Sequence, residues 1–309
     1  MLDFAIIGAP RAGTTSLFEW LDAHPEVHGS SPKETYFFMD DDHPLAVRQE
    51  TRGKPTIHTS GRSALRQFYD ESTDGLRFEA TTHHYYQETA RKVFSQLDPI
   101  PHVFFVLRRP AHRVRSSFLF TKHKLGFIDS GLSFNQYVDF LLGGEHSAMS
   151  KYYHSDSSLY IAERELELSQ YVVWLKWWEE ALGAKRVHPL VFEELIEEDH
   201  SVVRRICDIL KIDPSFYTER SMPSENEAFL ARSPALQRLV HTIGPQIPDG
   251  WMKWTIKAVY RAVQVQETTS GKPSGTERGV DNLKKYFRPW NKRLVRYSDL
   301  TLSRWGLME

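Results

Sequence analysis

At 309 residues, 40% of them hydrophobic and 26% charged, the chain is long enough to bury a substantial core, as one large α/β domain or two smaller ones. Its 39 Lys and Arg residues are matched by 40 Asp and Glu, a balance that excludes a broad nucleic-acid surface but not a local anion site. The single cysteine, Cys207 in VVRRICDIL, excludes a disulfide within the chain and reads as a helix core residue, which suits a reducing compartment.

No run reaches the length of a membrane span, and the amino terminus passes straight into strand-like sequence without a basic segment. A soluble cytoplasmic protein is therefore expected, with no stable membrane insertion, no nucleic-acid partner and room for a homodimer.

The first element is an apolar run, Phe4-Ala5-Ile6-Ile7, cut by Gly8-Ala9-Pro10-Arg11-Ala12-Gly13-Thr14-Thr15, after which Leu17, Phe18, Trp20 and Leu21 recur at helical spacing. This predicts a buried strand, a tight loop and a helix. The glycines permit a close turn, and the first amides of a helix lack internal partners. Arg11, Ala12, Gly13, Thr14, Thr15 and Ser16 are thus candidate anion-binding residues. A Walker A loop needs Gly, four residues, then Gly-Lys-Ser/Thr. Gly8 and Gly13 keep that spacing, but Thr14 stands at the lysine position and Arg11 is the loop's only cation. The loop reads as phosphate-binding without reading as an ATPase; a glycine-rich turn of no catalytic use is the alternative.

Ser31-Pro32-Lys33-Glu34-Thr35-Tyr36-Phe37-Phe38 follows, with Phe37 and Phe38 suited to anchor a loop and Glu34 placed either at the mouth of a cleft or on the plain surface. Residues 40–59 read as a loop or lid, 61–70 as a helix, and Leu76 to Ala80 as a second strand. Thr81-Thr82-His83-His84-Tyr85-Tyr86 comes next, where a parallel sheet places its ligand crevice. His83 and His84 have no Cys or carboxylate at metal-like spacing, so no metal is expected, and Glu79 could serve as a hydrogen-bonding residue that holds the loops.

His102 to Leu107 reads as a fully buried strand, broken by Arg108-Arg109-Pro110, with Pro110 at the first position of a helix. Arg108 and Ser116 are placed to reach a second phosphate; a solvated basic face is the alternative. Four arginines, at 108, 109, 113 and 115, would repel one another unless an anion or carboxylates lie nearby. Ser133 opens a helix that ends at Gly143-Gly144. Residues 145–158 read as a mobile flap, 160–182 as one long helix, and 186–192 as a strand whose Pro189 favours an edge. Residues 201–211 and then 236–243 and 251–263 read as helical. Lys272 and Arg278 lie in a glycine-containing stretch, 266–280, that either approaches an anion or is a linker. Helical periodicity returns at Asp281. The expected architecture is one domain over 1–309, α/β, P-loop-like and three-layer α/β/α, with a central, mostly parallel sheet and a helical C-terminal portion. Insertions are expected near 40–60 and 145–158, with a covering loop near 266–280.

Together these pieces resemble the sulfotransferases that use 3′-phosphoadenosine-5′-phosphosulfate (PAPS). Gly8 to Thr15 is similar to their 5′-phosphosulfate loop, Arg108 to Ser116 to their 3′-phosphate motif, and Ser31 to Phe38 to the Lys-Glu-x-x-Phe-Phe segment of the glycosaminoglycan branch, where the glutamate is the general base. Tyr171-x-x-x-Leu175-x-x-Trp178 with Val191-Phe192-Glu193-Glu194-Leu195 resembles a mid-chain signature, and Leu283 to Leu294 the end of heparan-type enzymes. The resemblance implies PAPS as donor, 3′-phosphoadenosine-5′-phosphate (PAP) as product and no metal. It implies Glu34 as base, with His83 or His84 as its backup, and Arg11 at the transferring group. It gives Arg108 and Ser116 to the 3′-phosphate, and Lys272 and Arg278 to the loop that covers the nucleotide.

Two departures bear on the acceptor. Arg11 replaces the lysine of the glycosaminoglycan enzymes and stays charged, so it cannot donate a proton to the leaving group. Glu79-Ala80-Thr81-Thr82 lacks the lysine that heparan-type enzymes use near their acceptor, which with the balanced charge disfavours a polyanionic polymer. A small-molecule, glycosidic or lipid-like hydroxyl is expected. An ATP-dependent kinase and a catalytically silent nucleotide sensor are the competing readings.

Overall fold

The computed structural model describes residues 2–70, 74–197, 200–218, 230–231, 265–266, 275–298, 300, 302 and 305. Among them, β1 (Phe4–Gly8), β2 (Val27–Gly29), β3 (Leu76–Glu79), β4 (His102–Leu107) and β5 (Val187–Val191) form an all-parallel sheet in the order β2-β3-β1-β4-β5. Every residue of β1 is buried, as is every residue of β4 after His102. Successive strand residues face opposite sides, so both faces of the sheet are covered, which is the three-layer α/β arrangement expected. Pro189 lies on edge strand β5, where a missing amide donor costs the ladder nothing.

The helices, in chain order, are α1 (Thr14–Asp22), α2 (Pro44–Thr51), α3 (Ile57–Ser60), α4 (Glu88–Phe94), α5 (Pro110–Leu119), α6 (Phe134–Gly143), α7 (His146–Ser150), α8 (Asp156–Glu163), α9 (Glu165–Leu168), α10 (Tyr171–Leu182), α11 (Phe192–Leu195), α12 (Ser201–Leu210) and α13 (Glu277–Tyr297). α1 buries Leu17, Phe18, Trp20 and Leu21, and α12 buries Val202, Val203, Ile206 and Cys207, so the cysteine is a core residue. α6 opens on a capping box of Ser133 with Gln136 and stops at Gly144, whose φ of 68° most side chains resist. None of the described helices is long and apolar enough to cross a membrane.

Four stretches differ from their sequence reading, one of them residues 145–158, which carry α7 and the start of α8 where a flap was expected. Residues 40–59 carry α2 and α3 rather than an irregular lid; His43 caps α2 through Nδ1, and Thr56 with Thr59 forms a capping box on α3. The predicted helix over 160–182 is three helices, α8, α9 and α10, with breaks at Arg164 and at Ser169-Gln170. At the second break Ser169 Oγ and the Glu165 carbonyl both accept from the buried Arg113 guanidinium, and Ser169 Oγ also donates back to that carbonyl. A side-chain cluster competes there with the helical ladder, and apolar periodicity does not register it. Fourth, the last helix begins at Glu277, so Arg278 is helical rather than in a loop. The helices expected at 236–243 and 251–263 lie outside the described residues.

The chain forms two compact units, one of Met1–Arg109, Gln170–Asn226 and Phe287–Glu309, the other of Pro110–Ser169 and Glu227–Tyr286. The first holds the sheet. Within it the chain leaves β1 to build β3 and β2 on one side and then crosses to β4 and β5 on the other. The loops after β1 and β4 therefore diverge at a switch point, where a crevice opens beyond the strand ends. In the second unit Asn135 of α6 donates to the Gly275 carbonyl at 2.8 Å and accepts from the Gly279 amide at 2.9 Å.

Candidate active site

The loop after β1 is shaped by backbone geometry. Gly13 caps α1 with φ 80° and no side-chain cap, and the first turn of α1 holds no acidic residue. A Cβ on Gly13 would lie 2.8 Å from the Phe192 ring, so glycine is required by both conformation and space. The open amides at this helix start are complementary to an anion. Arg11, also left-handed at φ 67°, presents its carbonyl to Arg108 Nη1 at 2.7 Å.

Phe192 and Tyr171 fix the basic end of β4. The Arg108 guanidinium stacks 4.6 Å over the Phe192 ring, and the Tyr171 hydroxyl donates to the Arg108 carbonyl at 2.9 Å. Arg109 donates its amide to Glu193 Oε1 at 3.2 Å, while the Trp305 indole donates to Glu193 Oε2 at 2.9 Å. The mid-chain signature is thus the mounting of the second basic motif, and Phe192 serves both phosphate-type segments. In the other unit Arg113 is 1% exposed and ion-paired with Glu165. Stacking on Phe192 and the carboxylates of Glu193 and Glu165 offset the charges of Arg108, Arg109 and Arg113.

Burial, and next the neighbouring Arg108, push Arg11 down to about 10, while Glu34 works in the opposite sense. At neutral pH both guanidiniums remain charged, and their mutual repulsion is relieved by a bound anion. That is the fit expected of a phosphate- or sulfate-bearing ligand.

Glu34 faces this basic pair from the 31–38 loop, with Phe37 and Phe38 buried beneath as anchors. Its Oε2 accepts from the Tyr36 hydroxyl at 2.7 Å, and its Oε1 from Lys33 Nζ at 3.2 Å and Thr82 Oγ1 at 3.3 Å. Burial opposes the charge, but Lys33, His83 and the Tyr36 hydroxyl outweigh it and hold the carboxyl below its ordinary value. Glu34 is therefore an ionised acceptor at neutral pH, and its side chain keeps 27% exposure.

The two adjacent histidines separate. His84 is fully buried, with Nδ1 2.8 Å from Glu79 Oε1, and its ring meets Phe38 and Phe94 edge-on. It has no surface from which to reach an acceptor, which removes it as a candidate base and makes it a support. Glu79, also fully buried, accepts from the Thr81 amide at 3.0 Å and from the hydroxyls of Thr81 at 2.6 Å and Thr35 at 3.2 Å, tying the loop after β3 to the loop of Glu34. His83 stays on the Glu34 side, its Nδ1 2.9 Å from the Tyr86 hydroxyl.

The first unit thus gathers Arg11, Ala12, Gly13, Thr14, Thr15, Ser16, Glu34, His83 and Arg108 beyond the sheet's carboxyl edge. Ser116 is half-buried on α5 in the second unit, where Arg278 pairs with Asp139 across α13 and α6 at 2.5 Å. Lys272 lies outside the described residues. Sequence reasoning passed over Tyr36, His43, Tyr86 and Phe192 as site residues, although Phe192 lay inside a recognised signature.

A parallel sheet with a lysine-free phosphate-type loop at its switch point, and a basic pair facing a carboxylate, defines an α/β protein with a crevice complementary to an anion. A family model described as Sulfotransferase domain matches residues 2–227. The chain belongs to that family, and its chemistry is sulfuryl transfer. The solved sulfotransferase from Alicyclobacillus acidocaldarius is similar, with 19% identity and a TM-score of 0.56 over 80% of this chain and 93% of that one. The sulfotransferase domain from the curacin biosynthetic pathway (12% identity, TM-score 0.38, 84% of this chain and 96% of that one) also matches. So does that of the Synechococcus PCC 7002 olefin synthase (13%, 0.38, 81% and 96%). No match is found among the curated proteins.

Proposed function

We propose that this protein transfers the sulfuryl group of PAPS to the hydroxyl of a small-molecule, glycosidic or lipid-like acceptor. The observation that carries the reading is the meeting of two half-buried, mutually repelling guanidiniums, Arg11 and Arg108, with a helix start that lacks a side-chain cap on one side and an ionised Glu34 on the other. The donor, when bound, supplies an activated sulfuryl group on a phosphate leaving group.

The chain's own residues divide the work. The α1 amides and the hydroxyls of Thr14, Thr15 and Ser16 hold the 5′ anion. Arg11, which stays protonated, stabilises charge there without moving a proton. Arg108, with Ser116 as the motif's second member, selects the 3′-phosphate that sets PAPS apart from ADP and ATP. Glu34 takes the proton of the acceptor hydroxyl, and Lys33 and Tyr36 keep it ionised for that task. Alignment of acceptor and leaving group in a site of fixed charges supplies most of the acceleration, as in phosphoryl transfer.

Calorimetric titration with PAP, compared with ADP and with ATP plus Mg²⁺, tests the donor. Selective micromolar binding that weakens in Arg108→Ala and Ser116→Ala is expected. Binding no better than ADP refutes the reading and restores the kinase or sensor.

A further inference from the structure

A pocket of about 280 Å³ opens in the first unit at the end of the sheet opposite Arg11 and Arg108. Leu2, just ahead of β1, and Arg77, near the start of β3, line it together with the end of α4 and the 3₁₀ segment Arg62–Phe68. Side chains three apart eclipse in a 3₁₀ segment, so Ser63, Arg66 and Tyr69 form one row and Arg62 and Leu65 the next. Both rows face the pocket. Its apolar walls are Leu2, Phe38, Leu65, Val93 and Leu97. The volume matches the small end of ligand pockets, roughly 300 Å³.

The polar lining is made almost wholly of donors. Arg62 and Arg66 are exposed and Arg77 is half-buried, and among the described residues none of the three pairs with a carboxylate. Arg62 donates to the neutral Gln96 side chain, and the Arg77 guanidinium lies 6.0 Å from the centre of the Tyr69 ring. The Tyr69 hydroxyl is buried and has no hydrogen-bond partner among the described residues. Burial, and next Glu79 and Asp3, outweigh Arg77 and hold its proton well beyond the ordinary range, so it too can donate. Neither of those carboxylates lines the pocket. Glu79 is taken up by Thr35, Thr81 and His84, and Asp3 accepts from the Arg77 amide at 2.8 Å. A buried donor without an acceptor costs free energy until a group accepts from it, and guanidiniums around it favour an acceptor that carries negative charge.

We infer that this pocket is a second anion site, which takes a small carboxylate or sulfate ester with an apolar body. The charged head meets Tyr69, Arg66 and Arg77, and the body lies against Leu65, Val93 and Leu97. The site is separate from the donor crevice, and it stands whether or not the sulfuryl-transfer reading does.

Ligand-observed NMR titration of the full chain with hexanoate and with phenyl sulfate tests this, beside inorganic sulfate, which lacks the body, and hexanol, which lacks the charge. At least one of the two amphipathic anions should bind about tenfold tighter than sulfate or hexanol, and the tighter of them names the head group. The same anions can also meet Arg11 and Arg108, so the titration is repeated in variants. Affinity should be unchanged in Arg108→Ala and about tenfold weaker in Arg66→Gln, the loss of one charge-assisted hydrogen bond. Tyr69→Phe removes a hydroxyl that no protein group satisfies; its urea midpoint without ligand should equal or exceed that of the wild type, while its affinity falls about tenfold. Binding no tighter than that of sulfate and hexanol, full affinity in Arg66→Gln, lost affinity in Arg108→Ala, or a lowered urea midpoint in Tyr69→Phe overturns the inference.

Discussion

Replacing Glu34 with Gln separates the chemistry of this site from its architecture. In the folded protein Oε2 accepts from Tyr36 at 2.7 Å, and glutamine keeps an oxygen for that bond. The new amide replaces Oε1, which loses the Lys33 contact at 3.2 Å, while the Thr82 hydroxyl at 3.3 Å can turn and accept instead. Lys33 and Glu34 are 15% and 27% exposed, so the lost pair costs about 1 kcal/mol or less and folding is preserved. The chemical cost is larger, because removing a general base lowers rate by about 10²- to 10⁴-fold, roughly 3–5 kcal/mol of barrier. Nucleotide binding should be equal or tighter, since the Glu34 charge lies on the side of the basic pair that a bound anion must approach. The assay is PAP release at saturating donor and acceptor, beside PAP titration of the same variant. Wild-type kcat should be flat near neutrality and fall in acid, where the carboxyl, held below its ordinary value, finally takes a proton. A kcat within tenfold of wild type in Glu34→Gln would refute the base assignment.

Gly13→Ala should destabilise the chain by roughly 1–2 kcal/mol for its φ of 80° and roughly 1–3 more for a Cβ 2.8 Å from Phe192, seen as a lower urea midpoint together with weaker PAP binding. Glu165→Ala strands the Arg113 guanidinium, 1% exposed, and should cost about 3–5 kcal/mol; calorimetric melting checks this, and a loss under 1 kcal/mol would show the charge finds other partners. Burial, then His102, Arg205 and Arg186, push His188 from its ordinary 6.5 down to about 4. The unfolded chain binds more protons between those values, so this contribution to stability is whole above pH 6.5 and is lost as pH falls toward 4. Urea midpoints across that range should fall less steeply in His188→Gln than in the wild type.

Elements set by neighbours in the chain were legible beforehand. β1, its loop and α1 stand within two residues of where apolar run, glycine and periodicity put them, as do β4, the Pro110 start of α5, and the cap and stop of α6. Such local rules fail where a distant side chain intervenes. Arg113 takes up the Glu165 carbonyl that a continuous helix through Ser169 would have used, and His43 and Thr56 cap helices in a polar stretch with little apolar period to announce them.

For the site, the sequence alone determined the shape of the first loop, because a phosphate-type loop is built from contiguous residues whose glycines and cation must keep their spacing. It also named Glu34 and predicted the burial of Phe37 and Phe38. Only the tertiary structure decided which of two adjacent histidines stands near Glu34. It set His84 in the core against Glu79 and left His83 at the cleft, since a turn after β3 points successive side chains in different directions. It also brought Phe192 beneath Arg108 and Tyr86 between two histidines forty residues apart. No periodicity encodes such contacts, because they depend on how the strands are ordered and not on how the residues follow one another.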